Sequence, residues 1–114
     1  MQDDRVVVLV AERFRIERAC EEAYSDDADK FAAIVNWTSE QIAQLDDEIA
    51  GIVATSPAGI VDQVRVLKEL GRGVYADDDV FHRADCADRL AVTIAAGIER
   101  IAGTDGRAVI APIP

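Results

Sequence analysis

The chain has 114 residues, of which 50% are hydrophobic but only 5% aromatic, and 22 acidic against 12 basic residues give a formal charge of −10. This length predicts one domain with a core of its own. The dominance of Ala, Val, Ile and Leu favours closely packed helices over an aromatic-rich sheet. The negative charge disfavours binding to nucleic acid or to anionic membrane surfaces.

The amino-terminal segment has neither the basic leader nor the apolar length of a targeting signal. Its apolar run, residues 6–11, is too short for a signal-peptide core or a membrane span. We therefore expect a cytoplasmic protein, in which the reducing environment keeps Cys20 and Cys86 as thiols.

The first segment, from about residue 4 to residue 24, has the spacing of an amphipathic helix. Arg13 is the one polar member of its predicted inward face, which consists of Val6, Leu9, Arg13, Ile16, Cys20 and Ala23. The β-branched residues 6–8 leave a short strand open as an alternative.

The second segment, from about residue 27 to residue 54, is the longest predicted helix. Its apolar stripe alternates spacings of four and three, as in a heptad repeat: Phe31, Val35, Thr38, Ile42, Leu45, Ile49 and Ile52. Trp37 lies off this stripe, so it is expected either to widen the core face or to lie in an interface.

The stretch TSPAG, residues 55–59, predicts the start of a third helix, because Thr55 or Ser56 can cap it and Pro57 suits its first turn. This helix is expected to run to about Leu70, with Ile60, Val64 and Leu67 facing inward and Gly71 and Gly73 ending it. Gly59 is unfavourable inside a helix and therefore predicts a close backbone approach to a neighbour.

Three aspartates, residues 77–79, predict the start of a fourth helix that ends at Gly103. Its inward positions are predicted to be Phe81, Ala84, Ala87, Ala91, Ile94, Ile98 and Ile101. Residues 1–103 would then form the helical domain. Residues 104–114 form an apolar, proline-containing tail that is expected to dock on the bundle or on a partner.

Residues 45–70 combine an acidic helix, the TSPAG turn and a helix with the sequence IVDQVRVLKEL. This arrangement resembles small helical proteins of unassigned function from alphaproteobacterial genomes and their mobile elements. The resemblance implies an αα-hairpin across Ser56 and Pro57 and a bacterial origin, and it carries over no catalytic residue.

The segment DDDVFHRADC, residues 77–86, places Asp78, His82 and Cys86 on one face of a helix, four residues apart. Oxygen, nitrogen and sulfur donors of this kind bind Zn²⁺ and related divalent ions. A competing interpretation is purely structural, with Asp78 capping the helix, His82 half-exposed and Cys86 acting as a small hydrophobic residue. Neither a catalytic triad nor a phosphate-binding loop is recognisable, so we expect no enzymatic activity and no cofactor.

These observations predict an all-α, antiparallel bundle of about four helices, three long and one short, that a homodimer can complete. The apolar surface of the second helix exceeds what the short third helix can cover. The predicted interface residues are Trp37, Ile42, Leu45, Ile49 and Ile110. The leading functional hypothesis is a non-enzymatic interaction or accessory module with a protein partner or a second copy. The alternative is a metal- or small-ligand-binding bundle that uses the face of Asp78, His82 and Cys86.

Overall fold

The computed structural model describes residues 4–23, 26–71 and 77–105, and all regular structure in these ranges is helical. The helices are α1 (Arg5–Glu22), α2 (Ala28–Ala50), α3 (Pro57–Leu70) and α4 (Asp77–Asp105). The predicted all-α bundle is thereby confirmed, and residues 6–8 belong to a helix and not to a strand. The longest helix is α4, with 29 residues, and not α2, with 23.

Consecutive helices run antiparallel and form two hairpins, α1/α2 and α3/α4. The hairpins pack with α1 beside α3 and α2 beside α4. Asp47 of α2 contacts Cys86 of α4, and Ala50 contacts Thr93 further along, so α2 and α4 run in the same direction. The buried core lies where the hairpins meet and consists of Val6, Val10, Ile49, Ala50, Ala54, Val66, Leu70, Cys86, Leu90 and Ile94.

Helix α2 ends at Ala50, four residues earlier than predicted, and side chains of other helices donate to the carbonyl groups of its last turn and of the segment that follows it. Gln63 Nε2 donates to the carbonyl oxygens of Ile49, at 3.1 Å, and Ile52, at 2.7 Å. Thr93 Oγ1 donates to the carbonyl oxygen of Ala50. These bonds satisfy acceptors that a helix end leaves without intrahelical partners, so the chain can leave the helix inside the bundle.

The starts of α1 and α3 are joined by one aspartate. Asp4 caps α1, since its Oδ1 accepts from the Val6 backbone N–H at 3.0 Å. Its Oδ2 accepts from the Ser56 hydroxyl at 2.6 Å and from the Thr55 N–H at 3.1 Å. Ser56 in turn accepts from the Gly59 N–H and is the cap of α3. The predicted helix start at residues 55–59 is confirmed, and its cap is held in place by α1.

Gly59 is needed because α1 and the loop before α3 leave no room for a side chain. A Cβ atom at this position would lie 2.9 Å from Asp4 Cγ and 3.0 Å from Ala54 Cβ. The predicted close approach at Gly59 is therefore confirmed.

The inward faces of α3 and α4 agree with the predicted ones only in part: Ile60, Leu67, Ala87 and Ile94 pack in or against the core as expected. In α3, Gln63 and Val66 are fully buried, whereas Val64 is 40% exposed. In α4 the buried side chains include Cys86, Leu90 and Ile94, while three predicted inward positions are exposed: Ala84, Ala91 and Ile98. Both helices carry apolar residues on two adjacent stripes, so spacing alone did not decide which members of each stripe are buried. Helix α4 also continues through Gly103 to Asp105.

Arg13, the polar member of the predicted α1 face, is indeed buried, with 2% of its surface exposed. Its Nε donates to Asp46 Oδ1 at 2.6 Å, and Asp46 is itself 3% exposed. A second donor, Nη1, bonds Glu17 at 2.8 Å. Burial raises the pKa of Asp46, against the lowering influence of Arg13. The ion pair therefore joins α1 to α2 in a site where neither charge has water.

The molecule is elongated, with extents of 63 × 33 × 18 Å and a radius of gyration of 16.9 Å. A compact domain of this size has a radius of gyration of about 13 Å. The last buried residue of α1 is Ile16, and the first of α2 is Thr38. The distal half of the α1/α2 hairpin, described for residues 17–23 and 26–37, therefore extends beyond the shared core.

Candidate functional site

A polar cluster lies between α2 and α4, beside the core, and consists of Asp47, His82, Cys86 and Arg89. The Cys86 thiol donates to Asp47 Oδ1 at 3.2 Å, and its sulfur lies 3.6 Å from His82 Nε2. His82 Nε2 lies 3.9 Å from Asp47 Oδ2. Arg89 donates to Asp47 Oδ1 from one nitrogen and to Asp85 from another, at 3.0 Å.

The charges of this cluster follow from its hydrogen bonds. Burial acts to raise the pKa of Asp47, but hydrogen bonds from Cys86 and Arg89 outweigh it and lower that pKa. Burial, together with the hydrogen bond to Asp47 and the charge of that carboxylate, raises the pKa of Cys86 to about 12. The cluster thus holds an ionised carboxylate and a protonated thiol at neutral pH.

The geometry of the cluster does not match a cysteine nucleophile with its base. In a catalytic triad the nucleophile and the orienting carboxylate approach opposite nitrogens of the histidine ring. Here Cys86 and Asp47 both approach Nε2 of His82. Cys86 is also fully buried, and a thiol with a raised pKa is a poor source of the thiolate that such chemistry needs.

The structure brings together two of the three predicted metal ligands, His82 and Cys86, and adds Asp47 from another helix. Their possible ligand atoms all lie within 4.8 Å of one another. Asp78 is in the first turn of α4, but its side chain lies outside the described residues. Sequence reasoning missed Asp47, although one signal was present: the acidic residues 46–48 lie within a predicted helix, away from any helix start that they could cap.

A second candidate site is an open apolar groove of about 450 Å³ between the distal halves of α1 and α2. Its floor is rich in small side chains, and Trp37, 57% exposed, lies at its edge. We call it the hairpin groove; its lining residues are Arg15, Ile16, Ala19, Cys20, Ala23, Ala33, Ile34, Trp37 and Thr38.

The predicted interface residues fall in different environments. Trp37 lies on the hairpin groove, and Ile42 lines a small cleft with His82 and Arg83. Leu45 is half-buried against the core. Ile49 is fully buried within this chain and is therefore not available to a partner. Ile110 lies outside the described residues.

Comparisons with family models, curated proteins and solved structures gave no match to this chain. In the part of the chain that the structure describes, none of the helices combines the length and apolar character needed to cross a lipid bilayer.

Proposed function

We propose that this protein is a non-enzymatic helical interaction module, and that the hairpin groove is its binding surface. The observation that carries the proposal is the exposure of Trp37 beside an apolar groove on a hairpin that extends past the core. Aromatic side chains at the edge of a pocket are frequent anchors of protein interfaces. We further propose that the protein acts in the cytoplasm.

The shape of the groove suits a helical partner. Ala19, Ala23 and Ala33 contribute side chains of a single methyl group, and Ile34 supplies a larger apolar contact. Small residues allow another helix to approach closely, and a groove between two helices accepts apolar anchors spaced by three and four residues. Two α1/α2 hairpins packed together in this way would form a four-helix arrangement of the kind already present in the core.

We take the occupant to be a second copy of this chain, because charge is distributed unevenly along the hairpin. On α1 the exposed side chains of Arg15, which is paired with Glu12 on its own helix, and Arg18 precede the tip. At the tip, residues 21–30 contain five acidic residues and one basic residue. Antiparallel association of two hairpins brings the acidic tip of each copy close to Arg15 and Arg18 of the other. Such complementarity favours one orientation of the partners.

The experiment compares two alanine-to-glutamate variants by sedimentation velocity and native mass spectrometry. Ala33 lies in the groove and Ala95 lies on α4, and both are exposed positions within helices. We expect the wild type and Ala95→Glu to be dimers and Ala33→Glu to be a monomer with unchanged helix content. The Ala33→Glu variant should not dimerise because its carboxylate lies in a surface that must lose water when two copies associate.

Trp37 provides a second measurement, because it is the only tryptophan in the chain. Dilution of a dimer should shift its fluorescence emission to longer wavelength as the indole becomes exposed.

Charge reversal by Arg15→Glu with Arg18→Glu should weaken the dimer. A wild type that stays monomeric at high concentration, or an Ala33→Glu variant that remains dimeric, contradicts the choice of a second copy. A monomer that binds an amphipathic basic helix would point to a different protein as the partner.

A further inference from the structure

We propose that Asp47, His82 and Cys86 form a binding site for Zn²⁺ between α2 and α4. This inference is independent of the hairpin groove, since it concerns other residues at the core-proximal part of the molecule. It rests on the donor set, on the distances between the donor atoms and on access from solvent.

The distances between the donor atoms are close to those of a zinc site. At Zn–N, Zn–O and Zn–S distances of about 2.0–2.3 Å and tetrahedral angles, donor atoms are about 3.3–3.6 Å apart. The corresponding distances here are 3.2 Å between Cys86 Sγ and Asp47 Oδ1 and 3.6 Å between Cys86 Sγ and His82 Nε2. The third, 3.9 Å, joins His82 Nε2 to the other carboxylate oxygen, Asp47 Oδ2; with one ligand atom taken from each residue, the three atoms lie within 4.8 Å of one another. The Asp47 carboxylate must therefore rotate to point one oxygen, together with the other two donors, at a single ion.

The arrangement of the helices supports the same conclusion. His82 and Cys86 are one turn apart on α4, and Asp47 reaches them from α2, so two rigid elements hold the ligands. Cys86 is fully buried, whereas the side chains of His82 and Asp47 are 38% and 46% exposed. The site is thus closed on the side of the core and open to solvent on the other. Three protein ligands leave a fourth position for water.

Binding of Zn²⁺ replaces the thiol proton of Cys86 and displaces the Arg89 guanidinium from Asp47. The S–H bond of Cys86 breaks, its proton passes to the buffer, and a Zn–S bond forms, while the imidazole of His82 binds in its neutral form. Arg89 now occupies the oxygen of Asp47 that faces the thiol, with one of its nitrogens 3.5 Å from Cys86 Sγ. Because Arg89 also bonds Asp85 on its own helix, it can leave Asp47 and keep a partner.

The test uses the full chain, freed of metal by a chelator and titrated with Co²⁺ and then with Zn²⁺. We expect one Co²⁺ per chain, with the sulfur-to-cobalt charge-transfer absorption of a thiolate ligand and the visible bands of tetrahedral cobalt, both removed by stoichiometric Zn²⁺. His82→Ala should weaken Zn²⁺ binding by more than the about 10- to 100-fold typical of losing an outer-shell partner. His82 is the sole histidine of the chain, so this effect reports one site.

Two further pairs of variants decide between this site and general binding by acidic residues. The charge-transfer band should vanish in Cys86→Ser and persist in Cys20→Ser, which changes the other cysteine. Arg89→Ala should bind Zn²⁺ more tightly than the wild type, because it removes the competing cation, and Asp85→Asn should bind about as the wild type does. Absence of the band in the folded wild type, or a band that persists in Cys86→Ser, overturns the proposal.

Discussion

Arg13 and Asp46 place an ion pair where an all-apolar helix contact would ordinarily lie. Each side chain is almost completely buried, and the pair connects α1 with α2 at the point where the distal hairpin leaves the core. Desolvation of two charges offsets much of their attraction, so such a pair contributes little net stability while each partner depends strongly on the other. The pair fixes which residues of the two helices face each other.

Removal of one partner should therefore cost much more than removal of both. We expect Arg13→Leu and Asp46→Leu each to lower the free energy of unfolding by about 3–5 kcal/mol, whereas the double variant should be more stable than either single one. Urea denaturation followed by circular dichroism measures all four proteins. A double variant that loses the sum of the two single effects would show that the ion pair is not the reason for the loss.

The pH dependence of Arg13→Leu supplies a control. Burial raises the pKa of Asp46, and loss of Arg13 removes the main influence that lowers it. The folded state then binds a proton at Asp46 more readily than the unfolded state does, so this variant should gain stability relative to the wild type as the pH falls from 7 towards 4.5. The same difference should be absent when Asp46 is also replaced.

At the scale of the helices, side chains that bond to the helix ends hold the bundle together. Asp4 holds the starts of α1 and α3 together, and Gln63 and Thr93 hold the end of α2. These contacts occur where the backbone turns sharply and its polar groups would otherwise be buried without partners. The capping residues therefore also determine how the helices are placed relative to one another.

A substitution at Gly59 tests whether the starts of α1 and α3 are packed this closely. We expect Gly59→Ala to destabilise the protein by about 1–3 kcal/mol, because the added methyl group must displace Asp4 or Ala54. Gly51→Ala is the matched control: its Cβ would meet only ordinary contacts at 3.7 Å, so its effect on thermal unfolding should be small. In an Asp4→Ala background part of the cost of Gly59→Ala should disappear. Equal costs of both glycine substitutions would contradict the close approach.

At the scale of the whole molecule, the buried side chains are concentrated where the two hairpins meet and become fewer along the α1/α2 hairpin. The core joins residues of all four helices, whereas residues 17–37 contain no buried side chain among those that the structure describes. Regions with few buried apolar contacts open more readily than the global unfolding equilibrium requires. The distal part of the hairpin thus carries the proposed binding surface and, among its described residues, has no buried side chain to secure it.

Hydrogen–deuterium exchange can measure this gradient. At protein concentrations below dimer formation we expect amides in residues 17–22 and 28–37 to exchange faster than those in residues 46–50, 63–70 and 86–94. At concentrations where the dimer forms, exchange at the tip should slow while exchange in the core stays the same. Uniform protection along α1 and α2 in the monomer would contradict the weaker anchoring of the tip.

Local patterns predicted much of the architecture. The spacing of apolar residues identified all four helices, and the TSPAG stretch located the start of α3 at the residue where it occurs. The same patterns predicted the inward faces of α3 and α4 only in part, since they missed Gln63 and Cys86, whose side chains bond to groups of α2 and the segment after it. For the polar cluster, the sequence pointed to His82 and Cys86 but not to Asp47, which is 35 positions before His82 in the chain.

The sequence by itself determined the elements of this protein, because helix periodicity and end signals act between residues a few positions apart. Only the tertiary structure decided which residues of α3 and α4 are buried, how Arg13 meets Asp46, and which carboxylate joins His82 and Cys86. These outcomes depend on contacts between residues that are distant in the chain. Their energies come from desolvation and from hydrogen bonds across helices, which no local pattern encodes.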